Sequence, residues 1–400
     1  MNIQINNFLK IINTTFTGNI NDLISADWQD LYNYAKQQAL LPLFLEGCHQ
    51  YPEYQMNQLL FREKLLMESM EIILYQSQRT QSFLSVYDKL TAEGIKPLVL
   101  KGLICRFTYG ILADHRPSVD EDIYIMKEDF ETCKDVLTAN GFIMESIIIT
   151  EAVLSNIQHI SFINNNTGLR IEVHLNLMGI FNSNRRKMNS FFQDAFTTCI
   201  VCNIEGHQIY SMNYTEHFLF LFLHFYKHFT SSGVGIRQLI DICIYDKRYH
   251  ELIDWGMVEM RIKEMSADKL YADIMFIGKE YLGFELDSKF QGYCAEALLE
   301  DMMEAGVHGK TTKEQVLSGR VASSAMENSD SILRLIFPKV STLSMGYPIL
   351  YDKPYLIPIM WIRRLIKFVC KMKLYDNKLA RNGLEIGKRR VRLLKEYRII

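Results

Sequence analysis

Hydrophobic positions in the first ninety residues recur at the three- and four-residue spacing that is typical of amphipathic helices. Leu31, Tyr34 and Ala35 repeat in this way, and few prolines or glycines interrupt the segment. From Ile95 to about Met212 the pattern changes to short apolar or alternating runs, which predicts strands between helices. Beyond residue 214 the helical spacing returns and continues to about residue 329. A sheet-containing segment is therefore expected between two helical ones.

Three elements inside the middle segment are predicted from local signals. Residues 128–140 form an amphipathic stretch that Gly141 ends. Residues 142–149 have the composition of a strand. Residues 198–212, interrupted by Glu205-Gly206, are predicted to form a hairpin.

An acidic group stands at the start of one predicted strand. Asp120-Glu121-Asp122 is followed directly by the apolar run 123–126. Because side chains alternate along a strand, Asp120 and Asp122 are expected on the same face. Two carboxylates on one face suit Mg²⁺, which prefers oxygen ligands and is usually held by a few carboxylates and the substrate's phosphates.

A basic turn precedes this acidic group by about twenty residues. The apolar run 97–100 leads into Lys101-Gly102. A glycine lets the backbone approach a phosphate closely, and a lysine beside it adds a positive charge. Lys101 either neutralises phosphate charge in this way or is a strand-end lysine that reaches solvent.

A third carboxylate is predicted at Glu172. Phosphoryl transfer with two metal ions needs a ligand near the attacking oxygen. The segment 169–175 alternates as a strand, so that Arg170, Glu172 and His174 face one way. His174 is expected to touch the acceptor, to orient Glu172 or to be a structural histidine of the sheet.

Composition limits the class of protein. The chain has 400 residues, 48% of them hydrophobic, and a formal net charge of −2, which is typical of a globular protein with one or two sizeable cores. Residues 1–7 lack the features of a signal peptide, and no apolar run reaches the length of a membrane span, so a cytoplasmic location is expected. The scattered cysteines are expected to be reduced. Cys199 and Cys202 are an isolated pair without the four ligands of a structural zinc site.

The order of these motifs resembles a known family. Leu-Lys-Gly, then Arg-Pro-Ser-Val-Asp-Glu-Asp-Ile-Tyr-Ile, then Ile-Glu-Val-His is similar to the bacterial "nucleotidyltransferase family protein" group of the polymerase-β-like nucleotidyltransferase superfamily. The segments 224–228 and 235–241 resemble a helical part of the same group. By position, Gly102 matches the family's glycine after the first strand, Asp120 and Asp122 its metal-binding pair, and Glu172 its third acid.

The chain departs from that superfamily at two positions. Leu103 stands where a serine or glycine usually follows the glycine, so a hydroxyl that often touches the nucleotide is missing. Glu121 stands between the aspartates where an apolar residue is usual, so this side chain must be solvated, paired or close to the site.

Other polar residues have open roles. Arg116 contacts a triphosphate or fixes a loop. His224 and His228 lie one turn apart on a predicted helix; a zinc site there lacks further ligands, so contact with a nucleotide or acceptor, together with Arg237, is the favoured role for His228. Asp241 is placed to pair with Arg237.

The resemblance implies an α+β fold in which a small mixed-sheet nucleotidyltransferase core is flanked by helical N-terminal and C-terminal regions. The predicted regions are residues 1–90 (helical), 91–213 (the core), 214–330 (helical) and 331–400 (basic and amphipathic). The implied activity uses Mg²⁺ or Mn²⁺ at Asp120, Asp122 and Glu172 to transfer a nucleoside monophosphate from a nucleoside triphosphate such as ATP to a hydroxyl acceptor. A sugar or a small molecule is the favoured acceptor, and a non-catalytic nucleotide-binding or scaffold protein is the alternative.

The C-terminal region has a different character. Residues 354–370 mix large apolar side chains with Arg363, Arg364 and Lys367, and a basic tail follows. Such a segment lies on an anionic membrane surface or on nucleic acid, or is an ordinary helix whose apolar face packs on the body. The ordinary helix is the favoured interpretation, with peripheral membrane contact as the alternative.

Overall fold

A computed structural model of the protein describes residues 2–145, 149–180, 183–287, 289–306, 313–326, 343–344, 347–372 and 377–400. The fold is α+β, with helical segments before and after a seven-stranded mixed sheet in this part of the chain. The helices are α1 Ile3–Thr17, α2 Trp28–Gln37, α3 Leu41–Cys48, α4 Pro52–Gln55, α5 Leu59–Ala92, α6 Gly102–Thr108, α7 Phe130–Ala139, α8 Glu151–Asn156, α9 Ser183–Ser190, α10 Tyr214–Phe229, α11 Ile236–Tyr249, α12 Trp255–Glu264, α13 Asp268–Glu280, α14 Ala295–Ala305, α15 Lys313–Met326, α16 Ile357–Met372 and α17 Asn377–Glu396. The strands are β1 Leu98–Val99, β2 Glu121–Tyr124, β3 Ile143–Met144, β4 His159–Ile163, β5 Arg170–His174, β6 Ile200–Ile204 and β7 His207–Ser211.

The sheet has the strand order β3-β4-β5-β2-β1-β7-β6. The strand β1 pairs antiparallel with β2 and parallel with β7. The strands β2 and β5 run parallel, and β4 pairs antiparallel with both β3 and β5. Strands that are far apart in sequence are therefore neighbours at the middle of the sheet, where the predicted acidic residues lie.

Local predictions agree with the strands to different degrees. The hairpin over 198–212 is confirmed: β6 and β7 pair antiparallel, and Glu205 (φ 51°) and Gly206 (φ 88°) both have the positive φ that a tight two-residue turn requires. The strand predicted at 123–126 begins two residues earlier, at Glu121, because the backbone from there on pairs with β5. The strand predicted over 142–149 is shorter, as β3, and residues 146–148 of that prediction lie outside the described residues.

The helix α10 lies at the centre of the hydrophobic core. Thirteen of its sixteen residues are buried, and the core cluster around it includes residues from Ile5 to Tyr397. The sheet and both helical segments therefore share one core. The predicted boundary near 213 falls between β7 and α10, whereas the one near 90 falls in the last turn of α5. The division into four folding units stays a prediction.

The two C-terminal helices differ in how they pack. The helix α17 buries Leu393 and Leu394 against the body, and Tyr397 directly after it is also buried, as expected of an ordinary amphipathic helix. The helix α16 leaves Ile359, Ile362 and Ile366 between 58% and 59% exposed. Among the helices of the described residues, none is long and apolar enough to span a bilayer.

Candidate active site

Two predicted acidic residues meet at the middle of the sheet. In the parallel pair of β2 and β5, Asp122 and Glu172 are direct partners, so their side chains emerge from the same face. Asp120 comes two residues earlier, directly before β2. His174 follows Glu172 on the same face of β5 and pairs across the sheet with His159 of β4.

Asp122 is buried between a lysine and a histidine. Its Oδ2 lies 3.0 Å from Lys101 Nζ, and its Oδ1 lies 2.8 Å from His174 Nε2. Burial alone would raise the pKa of Asp122, but the Lys101 charge and the His174 hydrogen bond outweigh it and hold this pKa below the ordinary range. Asp122 is therefore ionised at neutral pH.

The pKa of Glu172 is shifted in the opposite direction from that of Asp122. Its Oε2 lies 3.5 Å from His159 Nδ1 and 3.8 Å from His174 Nε2. Burial, together with the negative charges of Asp122 and Asp120, raises the pKa of Glu172 to about 7. The carboxyl group is poised to lose its proton when a cation arrives.

The structure corrects the expected role of Gly102. The turn at Gly102 (φ 35°) does bring a backbone close to a carboxylate, but that carboxylate is Glu121, which a Cβ at this position would overlap. The Leu103 N–H donates to Glu121 Oε2 at 2.9 Å, and Arg106 Nη1 lies 2.6 Å from Glu121 Oε1. The start of α6 therefore holds the carboxylate of a buried ion pair, and Glu121 is paired, whereas contact of Gly102 with a nucleotide stays a prediction.

Arg116 has the loop-fixing role that was one of its two expected roles, whereas Asp241 pairs with a different arginine from the one expected. Arg116 makes a buried two-pronged ion pair with Asp241, at 2.7 and 2.6 Å, which favours loop fixing over triphosphate contact. Arg237, the partner expected for Asp241, instead donates to the Pro117 carbonyl at 2.7 Å. Both arginines thus hold the loop that leads into β2, since Pro117 lies three residues before Asp120.

The helix α10 brings two histidines to Lys101. His224 Nε2 lies 3.2 Å from Lys101 Nζ and 3.2 Å from His228 Nε2. His224 Nδ1 lies 3.1 Å from the Gln238 side-chain oxygen. Burial, with the charges of Lys101 and Lys227, lowers the pKa of His224 well below its ordinary value, so the ring is neutral.

The comparison with known families identifies the family of this chain. A family described as "Uncharacterised nucleotidyltransferase" matches residues 25–283, which is more than half of the chain. The protein belongs to this nucleotidyltransferase family. Neither the curated proteins nor the solved structures contain a match.

Two residues of this candidate site were not predicted. The negative charges of Asp122 and Glu172 raise the pKa of Lys227. Burial and the positive charges of Arg185 and Lys101 outweigh them and lower this pKa to about 7. Its only sequence signal was its place between His224 and His228. His159 enters the site through the pairing of β4 with β5, which no local pattern specifies.

Proposed function

We propose that this protein transfers a nucleoside monophosphate from a nucleoside triphosphate to a hydroxyl acceptor. The observation that carries the proposal is the register that sets Asp122 opposite Glu172, with Asp120 beside them, in a chain of the nucleotidyltransferase family. In this reaction the acceptor oxygen bonds to the α-phosphorus, the bond from that phosphorus to the bridging oxygen breaks, and pyrophosphate leaves.

The carboxylates fit a divalent cation such as Mg²⁺ or Mn²⁺. Asp120, Asp122 and Glu172 offer oxygen ligands. Burial, together with the negative charges of Asp122 and Asp120, raises the pKa of Glu172, so a cation beside these carboxylates would favour its ionised form. When bound, the ions would neutralise phosphate charge and lower the pKa of the acceptor hydroxyl. Asp120, Asp122 and Glu172 are the residues that would hold them.

The basic residues around the carboxylates complement the triphosphate. Lys101 keeps its positive charge, because Asp122 and Asp120 outweigh burial and raise its pKa. Lys227 adds a second positive charge when a triphosphate enters, since added negative charge raises a lysine pKa. Positioning and charge neutralisation supply most of the catalysis in such transfers, so no covalent nucleophile is needed.

Side chains of the helix α10 are proposed to select the acceptor. His228 lies beside His224 on this helix, next to the charged end of the site at Lys101. The resemblance favours a sugar or small-molecule acceptor. The acceptor itself is set by side chains outside the metal-binding carboxylates.

Calorimetric titration tests the proposal. Each of the four nucleoside triphosphates is titrated with Mg²⁺ into the full-length protein and into an Asp120→Ala/Asp122→Ala double variant. We expect binding that needs Mg²⁺, with the double variant weakened by about 100-fold or more, because loss of even a residue that orients a metal ligand costs about 10–100-fold.

The matched control is Asp135→Asn, which changes an exposed carboxylate on α7 and should leave binding unchanged. Circular dichroism shows whether the double variant is folded. Binding of a triphosphate that is equally tight in the double variant and without Mg²⁺ would contradict metal-dependent transfer and support the non-catalytic nucleotide-binding alternative.

A further inference from the structure

A second group of donors lies on the sheet face beside the aspartates. Among the described residues, His159, Glu172 and His174 form a group whose donor atoms all lie within 4.8 Å of one another. The β4–β5 register sets His159 opposite His174, and the two-residue period of β5 puts Glu172 on the same face as His174. The group is therefore built by the central strands of the sheet and not by a surface loop.

The two separations from Glu172 are close to those between ligands of one metal ion. Glu172 Oε2 lies 3.5 Å from His159 Nδ1 and 3.8 Å from His174 Nε2. These distances are long for hydrogen bonds, and within the described residues the buried Nδ1 of His159 has no hydrogen-bond partner. A tetrahedral zinc ion with ligands at about 2.0–2.2 Å separates its donors by roughly 3.4 Å. The Glu172 oxygen therefore lies within a few tenths of an ångström of this separation from each histidine nitrogen.

The nearby lysine does not fill this position. Lys101 Nζ contacts Asp122 through Oδ2, whereas His174 approaches the other oxygen, Oδ1. The lysine and the histidine group thus use different sides of the aspartate. An ion at His174 Nε2 would replace the contact that this nitrogen makes with Asp122 Oδ1.

We propose that His159, Glu172 and His174 bind a zinc ion next to the aspartate pair. Two imidazoles and one carboxylate suit Zn²⁺, while Mg²⁺ prefers oxygen ligands alone. Three protein ligands leave a fourth position for water or substrate. The inference rests on the proposed function in that Glu172 would be shared between the zinc ion and the Mg²⁺ or Mn²⁺ held with Asp120 and Asp122.

Cobalt titration of the metal-free, full-length protein tests the site, because Co²⁺ in a zinc site has a visible absorption spectrum. We expect about one equivalent of Co²⁺ to bind with a four- or five-coordinate spectrum, since three protein ligands are present. Equimolar Zn²⁺ should displace it, and a large excess of Mg²⁺ should not. His159→Ala should weaken Co²⁺ binding by about 100-fold or more, since loss of a partner that only orients a ligand costs about 10–100-fold.

The control is His207→Ala, which removes a histidine that pairs with Asp88 away from the site and should bind Co²⁺ as the unmodified protein does. Glu172→Gln is the second site variant and should also weaken Co²⁺ binding. Equal Co²⁺ affinity in His159→Ala and in the unmodified protein, or ready displacement by Mg²⁺, overturns the zinc site.

Titration of Mg²⁺ and nucleoside triphosphate into His159→Ala separates the two proposals. If the protein binds a triphosphate, and His159→Ala binds Co²⁺ as tightly as the unmodified protein does, the zinc site alone is overturned. Cobalt binding that depends on His159, in a protein that binds no triphosphate under any condition, would support the zinc site and contradict nucleotidyl transfer.

Discussion

At the scale of single residues, two neighbouring acidic side chains, Glu121 and Asp122, lie on opposite faces of the sheet. Asp122 faces the site, where Lys101 and His174 contact it. Glu121, one residue earlier, points to the other face of the sheet and pairs with Arg106 under α6. Alternation along β2 separates a proposed metal ligand from a structural ion pair within two residues.

Replacing Glu121 should destabilise the protein. Glu121 is 0% and Arg106 1% exposed, so Glu121→Ala leaves a buried guanidinium without its carboxylate. We expect a loss of about 3–5 kcal/mol in the free energy of unfolding, measured by urea denaturation. Glu128→Ala, at an exposed position, is the control. A loss no larger than that of the control would show that the buried pair contributes little.

Replacing Glu172 should stabilise the metal-free protein. The pKa of this carboxyl is raised from its ordinary 4.5 to about 7, so ionising it in the folded state opposes folding. The unmodified protein should therefore lose stability relative to Glu172→Gln as the pH rises from about 4.5 to 7. At pH 8 the variant should be more stable by about 2–3 kcal/mol.

Thermal denaturation with a chelator at pH 4 and at pH 8 measures this difference. The advantage of Glu172→Gln should disappear at pH 4, where the unmodified carboxyl is protonated in both states. An advantage of equal size at both pH values would point to better packing of the amide and not to a carboxylate charge.

At the scale of elements, α10 and α16 show two uses of an amphipathic helix. The helix α10 is buried almost throughout and presents His224, Lys227 and His228 to the site. The helix α16 keeps Ile359, Ile362 and Ile366 exposed at spacings that place them on one face, close to the exposed Arg363. An exposed apolar stripe next to basic residues is typical of a surface that lies on anionic lipid.

The exposed face of α16 should bind anionic vesicles. Sedimentation with vesicles of mixed phosphatidylserine and phosphatidylcholine should bring down the protein, and Ile362→Asp/Ile366→Asp should reduce the bound fraction about tenfold or more, because buried apolar area drives such binding. Asp substitution at Val201, which is exposed on β6, controls for added charge. Equal sedimentation of both variants would leave α16 as a solvent-exposed helix.

At the scale of the whole molecule, α17 supports the helix that carries the site. Arg390 donates to the Phe229 carbonyl at the end of α10, 2.7 Å away, and its Nε lies 3.3 Å from Asp301 of α14. Tyr397 donates to Asp273 of α13. The C-terminal helix thus links α10, α13 and α14 through buried polar contacts.

Arg390→Ala should weaken this link. Asp301 is 11% exposed and would lose its buried partner, so the free energy of unfolding should fall by about 3–5 kcal/mol. The neighbouring Arg389 pairs with Glu304, with both side chains about half exposed, and Arg389→Ala should cost less than about 1 kcal/mol. Urea denaturation compares the two variants, and equal losses would argue against a specific role for Arg390.

The sequence by itself determined the features that depend on neighbours along the chain. Strand alternation, the order of Lys101, the aspartates and Glu172, and the turn at Glu205-Gly206 follow from local geometry. They were enough to predict the α+β fold, and through a resemblance the nucleotidyltransferase family, before any coordinates. The acidic residues at the middle of the sheet were predictable for the same reason.

Only the tertiary structure decided which distant residues meet. Arg116 pairs with Asp241 from 125 positions away, and His159 reaches Glu172 through the register of β4 on β5. The space beside Gly102 is filled by Glu121 because α6 packs onto β2. Such contacts depend on how elements pack and on the register between strands, which local propensity does not specify.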